Sequence, residues 1–499
     1  MAASVVGLAG CAADAADPPA TVAPATATSA PAASPTAAEP VDASTPVPAR
    51  ASQAANLSAS TLRDGQALVT SPRLPLFGVG ADQVGPLLAG EIEDWQAVGC
   101  GVSLPVEPVA LEATVPEGMT PVETVVDYEA LVAALDARSG AVAVVPLDVV
   151  DFRVNVLSVD GVDPLRHRAT GADGPISRVG VVGDIVPGRN VGIKMRTYND
   201  YTYPFHDVAA ELASYDLTIA NLEGNFSQTI PPPEDPNTFD FICDPAMIQG
   251  FRLAGIDAVS LANNHTAWNE SGWGVQALLD TLSALDAAEM PRFGAGRTLE
   301  EARQVWTAEI GGLRLGFLSV DGVTANQEFP YRDKEMGTVG AEWAAGPDSP
   351  GTNPFSMEQL VTDVTMAAEE NDIVIPYLHM GAEYRWIVPE WVVAAAHAAI
   401  DAGATMVVTN HPHIIQGMEI YAGRPIIYSV GNFIFDQMFS VDTRQGFILE
   451  VTFDGARVVG IRLRGVEIKD FCQPRLMTAG EQAAIMDRFW RSTDILAER

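Results

Sequence analysis

The chain has 499 residues, which is too long for one ordinary hydrophobic core and favours at least two domains. Its 64 acidic residues against 29 basic ones give a formal net charge of -35, which would repel phosphate backbones and argues against nucleic acid as a partner. No run approaches the roughly 18 apolar residues that span a bilayer. The four cysteines form no CxxC pair, which argues against cysteine-ligated metals and a dense disulfide framework.

The N-terminus contains Leu-Ala-Gly-Cys at residues 8–11. This tetrad resembles the lipobox of bacterial lipoproteins, in which the cysteine is acylated and becomes the mature N-terminus. Residues 1–11 have no basic region and only a short apolar stretch, so they are interpreted as a shortened lipoprotein signal. The alternative is an incidental run of small residues. The resemblance implies lipidation at Cys11 and an extracytoplasmic protein anchored to the cell membrane.

Residues 12–60 are dominated by Ala, Pro, Thr and Ser and show no sustained apolar periodicity. Such a segment buries too little surface to offset its chain entropy. We therefore predict a disordered linker between the anchor and the folded protein.

Residues 61–170 are predicted to form a small α/β lobe. The phrase GEIEDW at residues 90–95, followed by a helical pattern and a Val-rich strand, resembles one lobe of the phosphate-type periplasmic binding proteins. Those proteins hold a ligand between two lobes, and this region has length for only one. The two interpretations are a partial binding lobe and a plain spacer domain.

From residue 177 onward, short Val/Ile runs alternate with amphipathic helical patterns. This predicts an α/β fold over residues 177–470, with mixed sheets packed as a layered sandwich and helices outside. The last strands read as an antiparallel hairpin around Asp454 and Gly455. Residues 471–499 are predicted to be a C-terminal helical segment.

Polar side chains of metal-ligand type follow the apolar run of five predicted strands. In open α/β sheets the carboxyl ends of the strands border one crevice, so these side chains are expected to converge. Carboxylate, imidazole and amide ligands together suit Mn, Zn or Fe. The candidates are Asp184, Asn221, Glu223, Asn264, His265, His379, Glu383, His411 and His413. Each one alone has a structural alternative, such as a turn cap or a core histidine.

His411 and His413 are one residue apart after an apolar run. In an extended segment their side chains would point to the same face. Pro412 between them is expected to help keep that backbone extended.

Six blocks in order resemble the CapA family of capsule synthesis proteins, which are associated with poly-γ-glutamate. They are VGDIVPGR, NLEGNF, SLANNHT, LHMGAEY, NHPHIIQG and SVGNFIFD, and they span about residues 177–437. The domain of that family resembles the calcineurin-like metallophosphoesterases, and its members are typically tethered at the outer face of the cell membrane. The resemblance implies one or two divalent metal ions and a hydrolase or phosphoesterase-like site.

The resemblance also implies a role for each candidate. Asp184 and His413 would bind the first metal, Glu223 would bridge two metals, and Asn264 and His411 would bind the second. His379 would be a further histidine ligand, Asn221 and Glu383 are possible additional ligands, and Cys11 would carry the lipid. His265 would be catalytic, stabilising the transition state or protonating the leaving group.

The sequence departs from the phosphoesterase pattern at two positions. Val186 stands where those enzymes usually have a histidine ligand, and the bridging aspartate is Glu223. The first metal site therefore loses an imidazole, and the centre is weaker, mononuclear or completed by another residue such as Glu383. The expected substrate is an anionic envelope polymer or a phosphoester, with other capsule synthesis proteins as possible partners. The alternative is an envelope lipoprotein that binds metal or polymer without catalysis.

Overall fold

The computed structural model describes residues 62–166, 175–268, 271–323 and 343–499. The predicted signal with Cys11 and the predicted linker 12–60 lie outside these residues. None of the described helices is both long enough and apolar enough to span a lipid bilayer.

Residues 62–166 form a small α/β lobe. Its strands are β1 (Gln66–Thr70), β2 (Gly78–Val79), β3 (Glu107–Leu111), β4 (Glu123–Val125), β5 (Ala141–Pro146), β6 (Asn155–Val156) and β7 (Ser158–Val159). They form a mixed five-stranded sheet of order β4-β3-β5-β1-β6, and β2 pairs with β7. Helices α1 (Ala81–Ala89) and α2 (Tyr128–Asp136) contribute to separate hydrophobic clusters on the sheet.

The rest of the described chain forms a larger body built on two mixed sheets. Its first strands are β8 (Ile176–Ile185), β9 (Leu217–Leu222), β10 (Asn225–Phe226), β11 (Ile242–Cys243), β12 (Ala258–Ser260), β13 (Arg292–Phe293), β14 (Ala295–Gly296), β15 (Trp306–Ile310) and β16 (Leu313–Asp321). They are followed by β17 (Gly351–Thr352), β18 (Ile373–His379), β19 (Val407–Asn410), β20 (Ile415–Tyr421), β21 (Arg424–Val430), β22 (Asn432–Ile434), β23 (Gln445–Asp454), β24 (Arg457–Lys469) and β25 (Gln473–Leu476).

The two large sheets pack face to face. One has the order β13-β12-β9-β8-β23-β24-β25, with β22 also paired to β8, and the other has the order β15-β16-β18-β19-β21-β20. Strands β8, β9 and β12 run parallel in the first sheet, as do β16, β18 and β19 in the second. Apolar side chains of both sheets share one core, for example Val181 and Ile375. Strands buried on both faces explain the continuous Val/Ile runs of the sequence.

Helices cover the outer faces of this sandwich. They are α3 (Arg189–Tyr198), α4 (Ala209–Leu212), α5 (Ile248–Ala254), α6 (Gly274–Ala287), α7 (Leu299–Ala302), α8 (Met357–Glu370), α9 (Glu390–Asp401) and α10 (Ala479–Ala497). Buried side chains of α3, α5 and α6 pack on the first sheet, and those of α8 and α9 pack on the second. Helix α10 packs Ile485 and Phe489 into the core between the sheets.

The predicted α/β sandwich of mixed sheets is confirmed. Strands β23 and β24 form the expected antiparallel hairpin, in which Asp454 pairs with Arg457. The C-terminal region 471–499 contains strand β25 as well as helix α10.

The lobe packs directly on the body. Val459 of β24 belongs to the same apolar cluster as Val109 and Val145 of the lobe. Beside it, the Arg462 guanidinium lies 3.2 Å from the Asp163 carboxylate of the lobe.

Candidate metal centre

The candidate residues lie at the carboxyl ends of parallel strands from both sheets. Asp184 in β8 pairs in register with Asn221 in β9, and His379 at the end of β18 pairs with Asn410 at the end of β19. This is the edge at which ligands bind in α/β sheets. The predicted convergence is therefore observed, although the predicted role of each residue stays a prediction.

The Asp184 carboxylate is buried and surrounded by hydrogen-bond donors. Its Oδ1 accepts from the amides of Asn221, at 2.7 Å, and Asn410. Its Oδ2 lies 3.1 Å from Nδ1 of His413. In turn, the Asn221 oxygen accepts from the Asn263 amide at 3.0 Å, so both polar atoms of Asn221 are occupied within this network.

The Glu223 carboxylate lies at the centre of the cluster. Its Oε1 is 3.8 Å from His265 Nε2, 3.9 Å from His379 Nε2 and 3.7 Å from His413 Nε2. Among the described residues, neither of its buried oxygens has a hydrogen-bond partner. The next residue, Gly224, has a φ of 153°, and a side chain there would collide with the Phe241 carbonyl. This explains the glycine of the NLEG block.

His265 lies in the loop after β12 of the first sheet and His379 ends β18 of the second sheet, and both approach Glu223. The Nδ1 of His265 lies 3.2 Å from the Phe239 carbonyl, which can only accept, so Nδ1 carries the proton and Nε2 faces Glu223. His379 Nε2 lies 2.9 Å from Asn264 Oδ1. Among the described residues, the amide nitrogen of Asn264 is buried and has no hydrogen-bond partner.

The predicted extended backbone at His411 and His413 is wrong. Their φ angles are 106° and 57°, in the left-handed region that non-glycine residues rarely adopt. The reason is topological: β19 runs parallel to β21 while β20 runs antiparallel to it, so the chain reverses direction within residues 411–414. The Tyr384 amide donates to the Pro412 carbonyl at 2.9 Å and helps to hold this bend.

The two histidines of this bend lie close to Glu383. One potential ligand atom from each of Glu383, His411 and His413 lies within 4.8 Å of the other two. A second group of the same kind contains Asp184, Glu223 and His379. Two adjacent ligand groups therefore share one crevice.

Burial controls the charges of this cluster. Burial and the nearby Asp184 raise the pKa of the Glu223 carboxyl well above its usual value. Burial, followed by the charge of His413, lowers the pKa of His265 to about 3, and burial also lowers the pKa values of His379 and His411.

Asp184 and His413 differ from these groups, because their charged forms are stabilised by each other. Burial opposes a charge on both, but their mutual hydrogen bond and attraction outweigh it, lowering the pKa of Asp184 and raising that of His413. The hydrogen bond to His413 therefore favours the ionised form of Asp184, whereas burial beside Asp184 disfavours a charge on Glu223.

This donor set fits a divalent cation. The oxygens of Glu223 and Nδ1 of His411 are buried polar atoms, for which the described residues provide no hydrogen-bond partner. A cation among them would satisfy atoms that are otherwise costly to bury. The side chain of Val186, where a histidine ligand was expected, packs instead into a small apolar cluster with Phe241 and Phe435.

Sequence reasoning gave no role to three residues that organise the site. Asn410 binds Asp184, and Asn432 Oδ1 lies 3.0 Å from His413 Nδ1. Asn432 Nδ2 donates to the side-chain oxygen of Gln437, and the Gln437 amide donates to the Tyr384 hydroxyl at 2.8 Å. The only signal in the sequence was a polar residue interrupting an apolar run, as in SVGNFIF.

Comparison with known proteins agrees with the motif resemblance. Residues 178–437, just over half of the chain, match the family described as bacterial capsule synthesis protein PGA_cap. The capsule biosynthesis protein CapA of Bacillus anthracis is 26% identical over 297 residues, which cover 56% of this chain and 64% of that protein. A probable polyglutamine synthesis accessory protein of Mycobacterium tuberculosis is 32% identical over 252 residues, covering 48% of this chain and 60% of that protein.

The chain therefore spans less than two thirds of the length of these relatives. Among solved structures, the NAD nucleotidase of Haemophilus influenzae aligns with a TM-score of 0.35 and 12% identity, covering 63% of this chain and 62% of that chain. The family match covers all six blocks, from VGDIVPGR to SVGNFIFD. The chain belongs to the bacterial capsule synthesis protein family PGA_cap.

Proposed function

We propose that this protein acts in the synthesis, export or anchoring of an anionic envelope polymer, such as a poly-γ-glutamate-like capsule, through a metallophosphoesterase-like hydrolase site. The observation that supports this most is the position of Glu223, a buried carboxylate without hydrogen-bond partners among the described residues, within 4 Å of three histidines. Family membership supports a role connected with an envelope polymer, and the set of donor atoms supports binding of a divalent metal.

The residues that would hold the ion are Asp184, Glu223, Asn264, His379, His411 and His413, with Glu383 at the edge. A bound divalent ion would supply positive charge that polarises a phosphoryl or carbonyl oxygen and lowers the pKa of water. Asp184 and Asn432 orient His413, because their oxygens hold its Nδ1 and leave Nε2 facing Glu223. His265 would contact the reacting group, since its Nε2 also faces the centre.

The substrate in this proposal is an anionic polymer or a phosphoester. The acidic surface of the chain opposes such a ligand at long range, but a bound cation reverses the local field. Other capsule synthesis proteins are the expected partners.

The proposed location is the outer face of the cell membrane, held by a lipid on Cys11. The Leu-Ala-Gly-Cys tetrad and the Pro-rich linker support it. Radiolabelled palmitate should be incorporated into the full-length protein in bacterial cells and not into Cys11→Ala; labelling that is equal in both contradicts the proposal.

Metal analysis tests the proposed site directly. The purified full-length protein should retain Mn, Zn or Fe by elemental mass spectrometry, and Glu223→Gln and His411→Ala should lose most of it. The matched control His206→Ala changes an exposed histidine on the surface and should retain the metal. A wild-type protein without a bound divalent ion would refute the proposal.

A generic phosphodiester then separates catalysis from binding. Metal-dependent hydrolysis of bis-p-nitrophenyl phosphate, lost in the same variants, supports the hydrolase. Retained metal and polymer binding without hydrolysis would instead support the non-catalytic alternative, which the apolar surroundings of Val186 favour.

A further inference from the structure

Two exposed aromatic side chains border the candidate metal centre on the side of His413. The ring centroid of Tyr384 lies 6.1 Å from that of His413, and the Phe439 ring packs edge-on against Tyr384 at 5.4 Å. We call Tyr384 and Phe439 the aromatic rim. Glu383, a potential ligand that directly precedes Tyr384, is partly exposed, so the centre meets solvent beside this rim.

Buried amides determine the position of the rim. A hydrogen-bonded chain runs from His413 through Asn432 and Gln437 to the Tyr384 hydroxyl. Tyr384 also has a φ of 57°, a conformation that costs free energy and is usually maintained at functional sites. The rim is thus coupled to a candidate metal ligand by direct contacts.

The two loops that carry the rim expose several large apolar side chains. Phe439 is 69% exposed and Tyr384 40%, and the same two loops expose Ile387 at 56% and Val441 at 48%. Exposed apolar side chains beside a cluster of buried polar groups are typical of a ligand-binding surface. The aliphatic neighbours offer no hydrogen bonds, so the chemistry favours a hydrocarbon chain over a sugar, whose hydroxyls would need polar partners.

We propose that the aromatic rim binds a hydrocarbon portion of the substrate, next to the anionic group that the metal centre holds. The ligand class is an alkyl- or acyl-bearing phosphoester or related anion. This inference rests on the proposed function, because it takes the crevice of Glu223 as the place of the anionic group.

Non-hydrolysable probes test the rim independently of catalysis. Methylphosphonate and octylphosphonate, below its micelle concentration, are titrated calorimetrically into the full-length metal-loaded protein. Octylphosphonate should bind at least tenfold more tightly than methylphosphonate, an increase that about two buried methylene groups supply. Phe439→Ala should remove most of this difference and leave methylphosphonate binding unchanged.

The matched control is Met366→Ala. Met366 is 58% exposed on helix α8, away from the rim, and its substitution should leave the affinity for both probes unchanged. Equal affinity for the two probes in the wild type, or an unchanged difference in Phe439→Ala, overturns the proposal. Loss of binding to phosphatidylcholine vesicles in Phe439→Ala, with equal affinity for both probes, would identify a membrane contact instead and also overturn it.

The outcomes remain separable from those of the proposed function. If the protein binds metal and shows the chain-length effect but hydrolyses no phosphodiester, catalysis is refuted and the proposal for the aromatic rim stands. If the protein hydrolyses phosphodiesters but shows no chain-length effect in binding, the proposed function stands and the proposal for the aromatic rim is refuted.

Discussion

At the scale of single residues, the centre is organised by amides as much as by its candidate ligands. Asn221, Asn410 and Asn432 donate to or accept from Asp184 and His413, so the Asp184 carboxylate and the His413 ring are held in one geometry. Partners of this kind fix the tautomer of a ligating histidine and tune metal affinity. Asn432 is therefore expected to matter even though it is not a predicted ligand.

We predict that Asn432→Ala lowers the affinity for the divalent metal by about tenfold, because such orienting partners are typically worth about 10–100-fold and Asp184 still holds His413. Competition with a fluorescent chelator measures the affinity. The control Asn237→Ala removes an exposed amide that donates to Asp235 of its own loop, and it should leave the affinity unchanged. An unchanged affinity in Asn432→Ala would show that Asp184 alone orients His413.

At the scale of secondary-structure elements, close approach of the backbone brings the strand ends together. Gly183 lies in β8, and a side chain there would come within 1.8 Å of the Gly431 carbonyl that precedes β22. Because the contacted atoms of Gly431 belong to the backbone, a larger residue at position 183 would have to push β8 and the start of β22 apart. Asp184 and Asn432 directly follow these glycines, so the same displacement would reach the site.

We predict that Gly183→Ala lowers the free energy of unfolding by about 1–3 kcal/mol, the usual cost of overpacking, and also weakens metal binding. Urea unfolding and chelator competition measure the two effects. At Gly480 in helix α10 no atom lies within 4 Å of an added side chain, and Gly480→Ala should be neutral or stabilising. Equal stabilities of the two variants would contradict the close approach of β8 and β22.

At the scale of the whole molecule, a buried ionic network joins lobe and body. Arg462 lies 3.2 Å from Asp163 of the lobe and 3.6 Å from Glu450, which also pairs with Arg178 at 2.8 Å. Arg462 Nη2 additionally donates to the Val156 carbonyl at 3.2 Å. Removing one member of a buried network leaves the others charged and poorly paired.

We predict that Arg462→Ala lowers the free energy of unfolding by about 3–5 kcal/mol, because Glu450 and Asp163 lose their shared cation. Fluorescence and circular dichroism during urea unfolding should report one common transition. The control Arg491→Ala breaks a surface pair whose arginine is 75% exposed and should cost less than about 1 kcal/mol. An unaffected stability in Arg462→Ala would indicate that lobe and body unfold independently.

The amino-acid sequence alone determined the α/β architecture of the body and the residue types of the site. Both depend on local patterns: buried Val/Ile runs predict strands, and polar residues such as Asp184 and His379 at their carboxyl ends predict a shared crevice. The same reasoning predicted the hairpin at Asp454, because its turn residues are adjacent in the chain.

Only the tertiary structure decided how those side chains are used. The bend at His411 and His413 follows from strand order, since β19 and β20 run in opposite directions within one sheet. The partners of Asp184 and the link from His413 to the aromatic rim join residues far apart in sequence. Such contacts depend on the packing of two sheets, which a periodic pattern within each strand does not specify.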